Sequence, residues 1–518
     1  MTASAVASTA KTCSVRPIGW FAIAIVGLVW LELVSRLRLE WSINPQYGYG
    51  WTVPFLTAFI FWRRWQTAPN ASRPRTKAFP VTAIIMSALL LIPVRLIEEA
   101  NPDWRLMSWA MAGDVALITF AVFYLAGGTP WLRHFAFPIL FFLVAVPWPT
   151  QFEQFIIQGL MRIDTAINVE VLNAIGVAAV QMGNVIEVST GLVGIDEACT
   201  GVRSLQATFM VSLFLGELYD FSVGRRFILV IVGALVAFVC NLVRTFLLVF
   251  VGAERGVAAI QQWHDPAGLS ILLICLFALW GLSMLLRRSE SGAGSIPRHD
   301  SNVYSIPSAV LFGLLACVLV AEISTQIWYR SHESPLSRLP AWSVTWPTHA
   351  PNFKSMPVAE QAQELLRYNE GGGGEWKASD GHQWGMYFFR WLPGRTAGLF
   401  IKNHRPDICL PASGMKQVGA EQRKLLTVNG VPLPIRSYVF ENNGISFHVF
   451  YCYWDGTIPG AATINQENWT AAGRLRAVRE GRRDVGAQML ELIATGFDGE
   501  QSAEDALRYQ LENIIRRG

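Results

Sequence analysis

Seven apolar runs of membrane-crossing length, near 18–35, 79–97, 106–127, 203–219, 226–251, 268–286 and 305–323, fill most of the chain up to about Glu322. A run of about 20 such residues crosses a bilayer as a helix, because the hydrocarbon offers no water to satisfy backbone polar groups. Two shorter runs, 51–62 and 134–148, bring the expected number of spans to about nine. Beyond Arg330 the chain turns mixed and polar, so the fold class expected is a polytopic α-helical membrane protein with a soluble α+β domain behind it. The boundaries predicted are a cytoplasmic N-terminus over 1–17, a transmembrane domain over 18–323 and an extracytoplasmic domain over 324–518. Only 15% of residues are charged and the net charge is +4, which excludes a nucleic-acid surface.

The few charges set the direction of the spans. Lys11, Arg16, Arg63, Arg64, Arg73, Arg75, Lys77, Arg133, Arg225, Arg226, Arg287, Arg288 and Arg298 fall in alternate connecting segments. The opposite segments hold only Arg36, Arg38, Arg105, Arg162, Arg203 and Arg255. The positive-inside rule then puts the N-terminus in the cytoplasm and everything after about 324 outside. Leu31-Glu-Leu-Val-Ser-Arg-Leu-Arg38 follows the first span where a signal peptide has a small-residue cleavage site, so this span is expected to be a retained anchor. In the long outer segment 149–202, Phe152, Phe155, Ile156, Leu160, Ile163, Ile167, Val171, Leu172 and Ile175 recur at helical spacing. Two readings are open: a helix on the outer membrane face, or a packed member of the bundle.

That topology brings three chemical groups to one face. Cys199, in Asp196-Glu-Ala-Cys-Thr-Gly-Val-Arg-Ser204, precedes the span that starts near 203. Arg244 lies about seven residues before the outer end of the next span, so roughly 10 Å deep at 1.5 Å per residue. His264, in Trp263-His-Asp-Pro-Ala-Gly268, occupies the following outer loop. An arginine at that depth requires a polar cavity or a carboxylate partner such as Glu197. A cysteine becomes a nucleophile as its thiolate, which a nearby cation and a helix N-terminus both favour. The set therefore reads as covalent catalysis: Cys199 attacking a peptide carbonyl, His264 protonating the leaving amine, Arg244 holding an oxyanion or the thiolate. No Cys/His cluster stands at metal spacing, and no metal or other cofactor is expected.

Glu197-Ala-Cys-Thr-Gly-Val-Arg-Ser204, Asn241 with Arg244, and His264, in that order, resemble the exosortase/archaeosortase family of membrane cysteine transpeptidases. Asn101-Pro-Asp-Trp104 and Pro147-Trp-Pro149 add to the likeness, which covers about 18–290. The resemblance implies Cys199, Arg244 and His264 as the catalytic set, with Glu197, Arg203 and Asn241 in support. It implies cleavage, in the inner membrane of a bacterium, of exported proteins carrying a C-terminal sorting signal: short motif, hydrophobic helix, basic tail (the PEP-CTERM type). Implied partners are those proteins, the bilayer, and an exopolysaccharide or lipid-linked acceptor. One departure is visible, for Gly48-Tyr49-Gly50 stands where many relatives carry Ser-His-Gly. The competing function is a non-proteolytic membrane component of an exopolysaccharide export assembly.

In the polar tail, 384–391, 397–402, 432–440 and 445–454 are expected as strands, 466–495 and 501–516 as helices, and Gly371–Gly374 as a loop. His404-Arg-Pro-Asp-Ile-Cys409-Leu-Pro-Ala-Ser-Gly414 and Tyr451-Cys-Tyr-Trp454 resemble an exosortase-associated periplasmic domain. His404 and Cys409 are either a second thiol site or a Pro-bounded turn with a buried thiol. Cys409 and Cys452 are a candidate disulfide.

Overall fold

The computed structural model describes residues 17–194, 201–256, 259–287, 304, 306–333, 342–358, 362–363, 366–395, 405–412, 415–442, 444–455 and 470–517. Among the described residues nine α-helices form the first part: α1 (Pro17–Ile43), α2 (Val53–Gln66), α3 (Ala78–Ala100), α4 (Arg105–Phe141), α5 (Thr150–Ala174), α6 (Val202–Leu218), α7 (Val223–Arg255), α8 (Ile260–Leu286) and α9 (Ser308–Glu333). Six helical stretches among the described residues are long and apolar enough to cross a membrane: Trp20–Ile43, Ala78–Ala100, Arg105–Ala145, Val223–Arg255, Pro266–Leu286 and Ser308–His332. The runs at 51–62 and 203–219 form α2 and α6, of 14 and 17 residues, the first below the usual spanning length and the second at its lower limit.

The run at 134–148 falls on the second of two helical limbs of α4, which meet at a kink. At Gly128 the backbone leaves helical geometry with φ 69°, a conformation open to glycine, and its bare Cα lies against Ser72. The chain then doubles back. Trp109 donates its indole N–H to Pro147 O at 2.8 Å and Arg105 reaches Trp148 O at 3.3 Å. A straight helix would hold those ends roughly 60 Å apart.

The polar side chains sort to the two ends of the bundle. At one end Arg64 and Arg226 grip Glu217 at 2.5 and 2.9 Å, Arg63 pairs with Asp220, and His134 Nε2 contacts Arg64 O at 2.8 Å. At the other, Arg105 Nε meets Glu40 at 3.0 Å, while Arg105 and the Tyr47 hydroxyl both bond Glu153. Near them Arg95 is clamped by Glu99 at 2.7 Å and Glu322 at 2.6 Å, with Arg36 alongside. Charges this buried are tolerated because each is paired and hydrogen-bonded. The three-stranded antiparallel meander β1 (Ala179–Met182), β2 (Val185–Val188) and β3 (Gly191–Gly194) lies against the C-terminal part of α7.

The second part is built on a seven-stranded antiparallel sheet. Its strands are β5 (Lys354–Met356), β6 (Glu370–Lys377), β7 (Gln383–Trp391), β8 (Lys416–Val428), β9 (Val431–Asn442), β10 (Ile445–Trp454) and β11 (Ala487–Thr495), in spatial order 5-6-7-11-10-9-8. Helix α12 (Glu500–Ile514) lays Ala503, Leu507, Leu511 and Ile514 on one face, against Trp384, Phe450, Cys452 and Leu490. The other face carries Phe389, Trp391, Tyr438 and Tyr451 and is covered in part by Leu410 of the short helix α10 (Pro406–Ala412). Beyond these, α11 (Ala471–Arg479) follows β10, and β12 (Ile515–Arg517) pairs with β4 (Trp342–Val344).

Several expectations for this part are corrected. The helix expected over 466–495 is α11 followed by β11, because Ala-Gln-Met-Leu-Glu-Leu is a helix-favouring composition placed between β7 and β10, where the sheet overrides propensity. Gly371–Gly374 is not a loop but part of β6. A Cβ on Gly371, at φ +142°, would sit 2.0 Å from Phe388 O, and one on Gly373 would meet the Tyr387 ring at 2.7 Å, so glycines let β6 pass over the aromatic strand β7. Residues 515–517 leave the last helix as β12. Cys409 and Cys452 form no disulfide with each other: Cys452 packs on the face under α12, while Leu410 beside Cys409 packs on the opposite one. Burial pushes the Cys452 thiol up to about 12, so it is inert at neutral pH. The strand expected at 397–402 lies outside the described residues.

Glu491, in β11, is buried among Tyr387 and Tyr451 of the flanking strands, and burial lifts its carboxyl from 4.5 to about 7. Between those values the folded domain keeps a proton that the unfolded chain has released, so stability is full below the lower value and declines as pH rises through the upper one. Glu491→Gln is expected to stabilise the domain at pH 8, by on the order of 2 kcal/mol, and to change little at pH 4. Thermal melts of the wild type and the variant at the two pH values check this. Equal shifts at both would contradict it.

The two parts meet at the Glu98–Glu99 end of α3. Arg474 of α11 pairs with Asp103 at 2.8 Å, stacks 5.3 Å over the Trp104 ring and accepts at its carbonyl from Asn101. Arg483 reaches Glu99 at 2.9 Å, Arg395 reaches Glu98 at 3.2 Å, and Trp328 of α9 donates to Val478 O at 2.9 Å. The Asn101-Pro-Asp-Trp104 segment is thus a docking surface for the second domain.

Candidate active site

Helix α7 is the backbone of the site. Asn241, Arg244, Thr245 and Leu248 recur at three- and four-residue steps, so they share one face, and all four are buried. Arg244 is 8% exposed and lies eleven residues before the end of α7 at Arg255, about 16 Å along the axis. The helix runs past the expected end of the span at 251, so Arg244 sits further from the helix terminus than the apolar run alone indicates.

Two glycines bring neighbouring elements against this face. Gly201, with φ +72°, caps the N-terminus of α6, and a Cβ there would lie 2.8 Å from Cγ of Asn241. Any side chain would push the start of α6 off α7, besides straining the left-handed backbone. Gly268 of α8 stands so close to Arg244 that its Cβ would meet Nη2 at 3.4 Å. The beginning of α6 is further pinned by Val202, which is fully buried in a cluster with Ile157, Leu172, Val193 and Leu248, joining α5, the meander and α7.

Helix α5 closes the fourth side. It packs on α7, and its outward face mixes apolar side chains with the exposed Arg162 and Glu170. Phe155, Ile163 and Ile167 point out, and Asp164, Thr165 and Asn168 point in. Asp164 is 1% exposed. It accepts from Thr245 Oγ1 at 2.6 Å, from Asn168 Nδ2 at 3.2 Å and from Asn241 Nδ2 at 3.5 Å, and Arg244 acts on it electrostatically. The reading of the residues offered Glu197 as the carboxylate for Arg244, and Asp164 was passed over. Its signal was present: Asp164, Thr165 and Asn168 fall on one face of α5, and Asn241 and Thr245 recur at helical spacing on α7.

The other expected site residues are placed as follows. Cys199 and Glu197 lie outside the described residues, two and four positions before Gly201. His264 is in the first turns of α8, one turn before Gly268, where a loop was expected; its side chain lies outside the described ones. Arg203 is exposed in the first turn of α6. In the second domain Cys409 is half-buried on α10 and His404 is outside the described residues.

A second buried polar group borders α6. The Tyr47 hydroxyl accepts from Trp148 N at 2.9 Å and from Gln206 Nε2 at 3.5 Å, besides its bond to Glu153. Pro147-Trp-Pro149 thereby ties the return limb of α4 to the segment that ends in Gly48-Tyr49-Gly50, where Tyr49 donates to Val144 O at 3.0 Å.

Among the described residues no group of three His, Cys, Asp or Glu is arranged to hold a metal. The geometry gathers a buried guanidinium, a buried carboxylate and two glycine-marked approaches, one leading back to a cysteine and the other to a histidine. No curated protein and no solved structure matches the chain. The model of the transmembrane exosortase family matches residues 41–281, a range that holds Asp164, Gly201, Asn241, Arg244, His264 and Gly268. This membrane part of the chain is similar to the transmembrane exosortase family.

Proposed function

We propose that this membrane protein is a cysteine transpeptidase that cleaves C-terminal, PEP-CTERM-type sorting signals of exported proteins at the outer face of the bacterial inner membrane. The observation that carries this reading is the position of Arg244, buried where Gly201 and Gly268 press against α7. Gly201, two residues after Cys199 in the sequence, lies against Asn241. His264 shares a helix face with Gly268 and so with the side of α8 that meets Arg244. In this scheme His264 takes the thiol proton, the sulfur of Cys199 bonds to the scissile carbonyl carbon, and Arg244 steadies the oxyanion. The C–N bond then breaks and His264 returns the proton to the amine. The thioester passes to water or to an amine of a cell-surface acceptor, which links the enzyme to exopolysaccharide-rich surfaces.

The sorting of charges supports the orientation. Arg63, Arg64, Arg133, Arg225 and Arg226 belong to the end away from the second domain, as a cytoplasmic end requires. The domain over 324–518 is then extracytoplasmic, above the site. A reporter ending in a PEP-CTERM-type tail, expressed with this protein, is expected to lose its tail on the outer side. A reporter that stays intact beside correctly inserted protein would contradict the reading.

A further inference from the structure

Asp164 is the least exposed ionisable group beside Arg244, and the scheme above gives it no part. It is 1% exposed, on the side of α5 packed against α7, away from the exposed Phe155, Arg162, Ile163, Ile167 and Glu170. A lone carboxylate there would be costly, and the chain surrounds it with donors instead. Thr245 Oγ1 stands 2.6 Å away, Asn168 Nδ2 3.2 Å and Asn241 Nδ2 3.5 Å. Thr245 and Asn241 flank Arg244 on α7, one residue after it and three before, so the carboxylate grips the same face of the helix that presents the guanidinium. Asn241 in turn lies against Gly201, two residues from Cys199.

We propose that Asp164 is the positioning residue of this site: its carboxylate fixes Asn241 and Thr245 and balances the charge of Arg244, so that the guanidinium is held in one orientation towards the reacting carbonyl. The inference rests on the transpeptidase reading of the same site. Asp164 touches neither substrate nor nucleophile in this role. It acts as an orienting carboxylate acts on a catalytic base, through a partner whose geometry it locks before the reaction.

The charge and the grip are separable. Asp164→Asn keeps the size and one acceptor oxygen but removes the negative charge. Thr245→Val keeps the charge and removes the shortest bond to it. For Asp164→Asn the account expects kcat on a tailed reporter to fall by about 10- to 100-fold with KM within about twofold, because orientation in the transition state is lost rather than substrate binding. With the carboxylate neutralised, Arg244 acts undiminished on the thiol, so Cys199 is expected to alkylate at lower pH, by on the order of one pH unit. Thr245→Val is expected to lower kcat several-fold and leave the alkylation curve in place.

The experiment measures reporter cleavage and the pH dependence of iodoacetamide labelling, resolved at the Cys199 peptide, in the full-length protein, with Cys199→Ala beside the variants. Wild-type kcat together with an unshifted labelling curve in Asp164→Asn would overturn the inference while an inactive Cys199→Ala leaves the transpeptidase reading standing. An active Cys199→Ala would overturn that reading instead. Where Asp164→Asn does not accumulate in membranes, unchanged kcat in Thr245→Val overturns the inference on its own.

Discussion

Cys199→Ala is expected to abolish cleavage of a tailed reporter, by on the order of 1000-fold or more, with the protein still inserted at the wild-type level. The size of the effect follows from chemistry: alanine has no atom that can form the acyl bond, and no neighbouring group substitutes for a missing nucleophile. Insertion is spared because the change removes one sulfur atom at a position that precedes α6, whose start is held independently by Val202 and Gly201. The other thiols provide the internal control. Cys240 and Cys275 lie within α7 and α8, in a small apolar cluster, and Cys317 lies in α9, so their replacement by alanine should cost stability alone. Cleavage by Cys199→Ala at near wild-type rate would remove the residue from the mechanism.

Arg244→Lys is the second large effect. A lysine keeps the charge, yet it presents a point cation where arginine presents a planar fork. If the guanidinium holds the oxyanion, the rate should fall on the order of 100- to 1000-fold. If Arg244 serves only as a counter-ion for the buried Asp164, lysine should largely replace it, because a point charge answers that need. The cleavage rate normalised to protein level separates the two outcomes, and an active lysine variant would assign Arg244 to structure. The loss is expected because the protein has placed an arginine, 8% exposed, where the backbones of α6 and α8 come closest to α7.

The membrane half was readable because hydrophobic length is a one-dimensional signal. The runs that became α1, α3, α7, α8 and α9 are each long enough to satisfy their own backbone. The return limb of α4 was visible as a separate run, but not the turn that makes it one, since Gly127-Gly128 acts through a local backbone angle and a contact with Ser72. The convergence of α6, α7 and α8 was readable for a related reason: order and direction of spans decide which ends meet. Asp164 escaped because its role depends on which side of α5 faces inward, and α5 carries charged residues on both sides, Arg162 and Glu170 exposed and Glu153 and Asp164 buried. The second domain was the least legible part. Ala487–Thr495 is composed like a helix and becomes a central strand only because β7 and β10 flank it, and the glycines of β6 look like a loop until the rings of β7 lie beneath them.

The central claim is that Cys199 forms an acyl bond to its substrate beside Arg244 and His264. Intact-protein mass spectrometry during turnover of a tailed reporter by the otherwise unaltered protein, quenched in acid, measures this directly. The account predicts a thioester on Cys199 with the mass of the fragment upstream of the cut, lost on treatment with hydroxylamine. Continued cleavage with Cys199 unmodified throughout would contradict it.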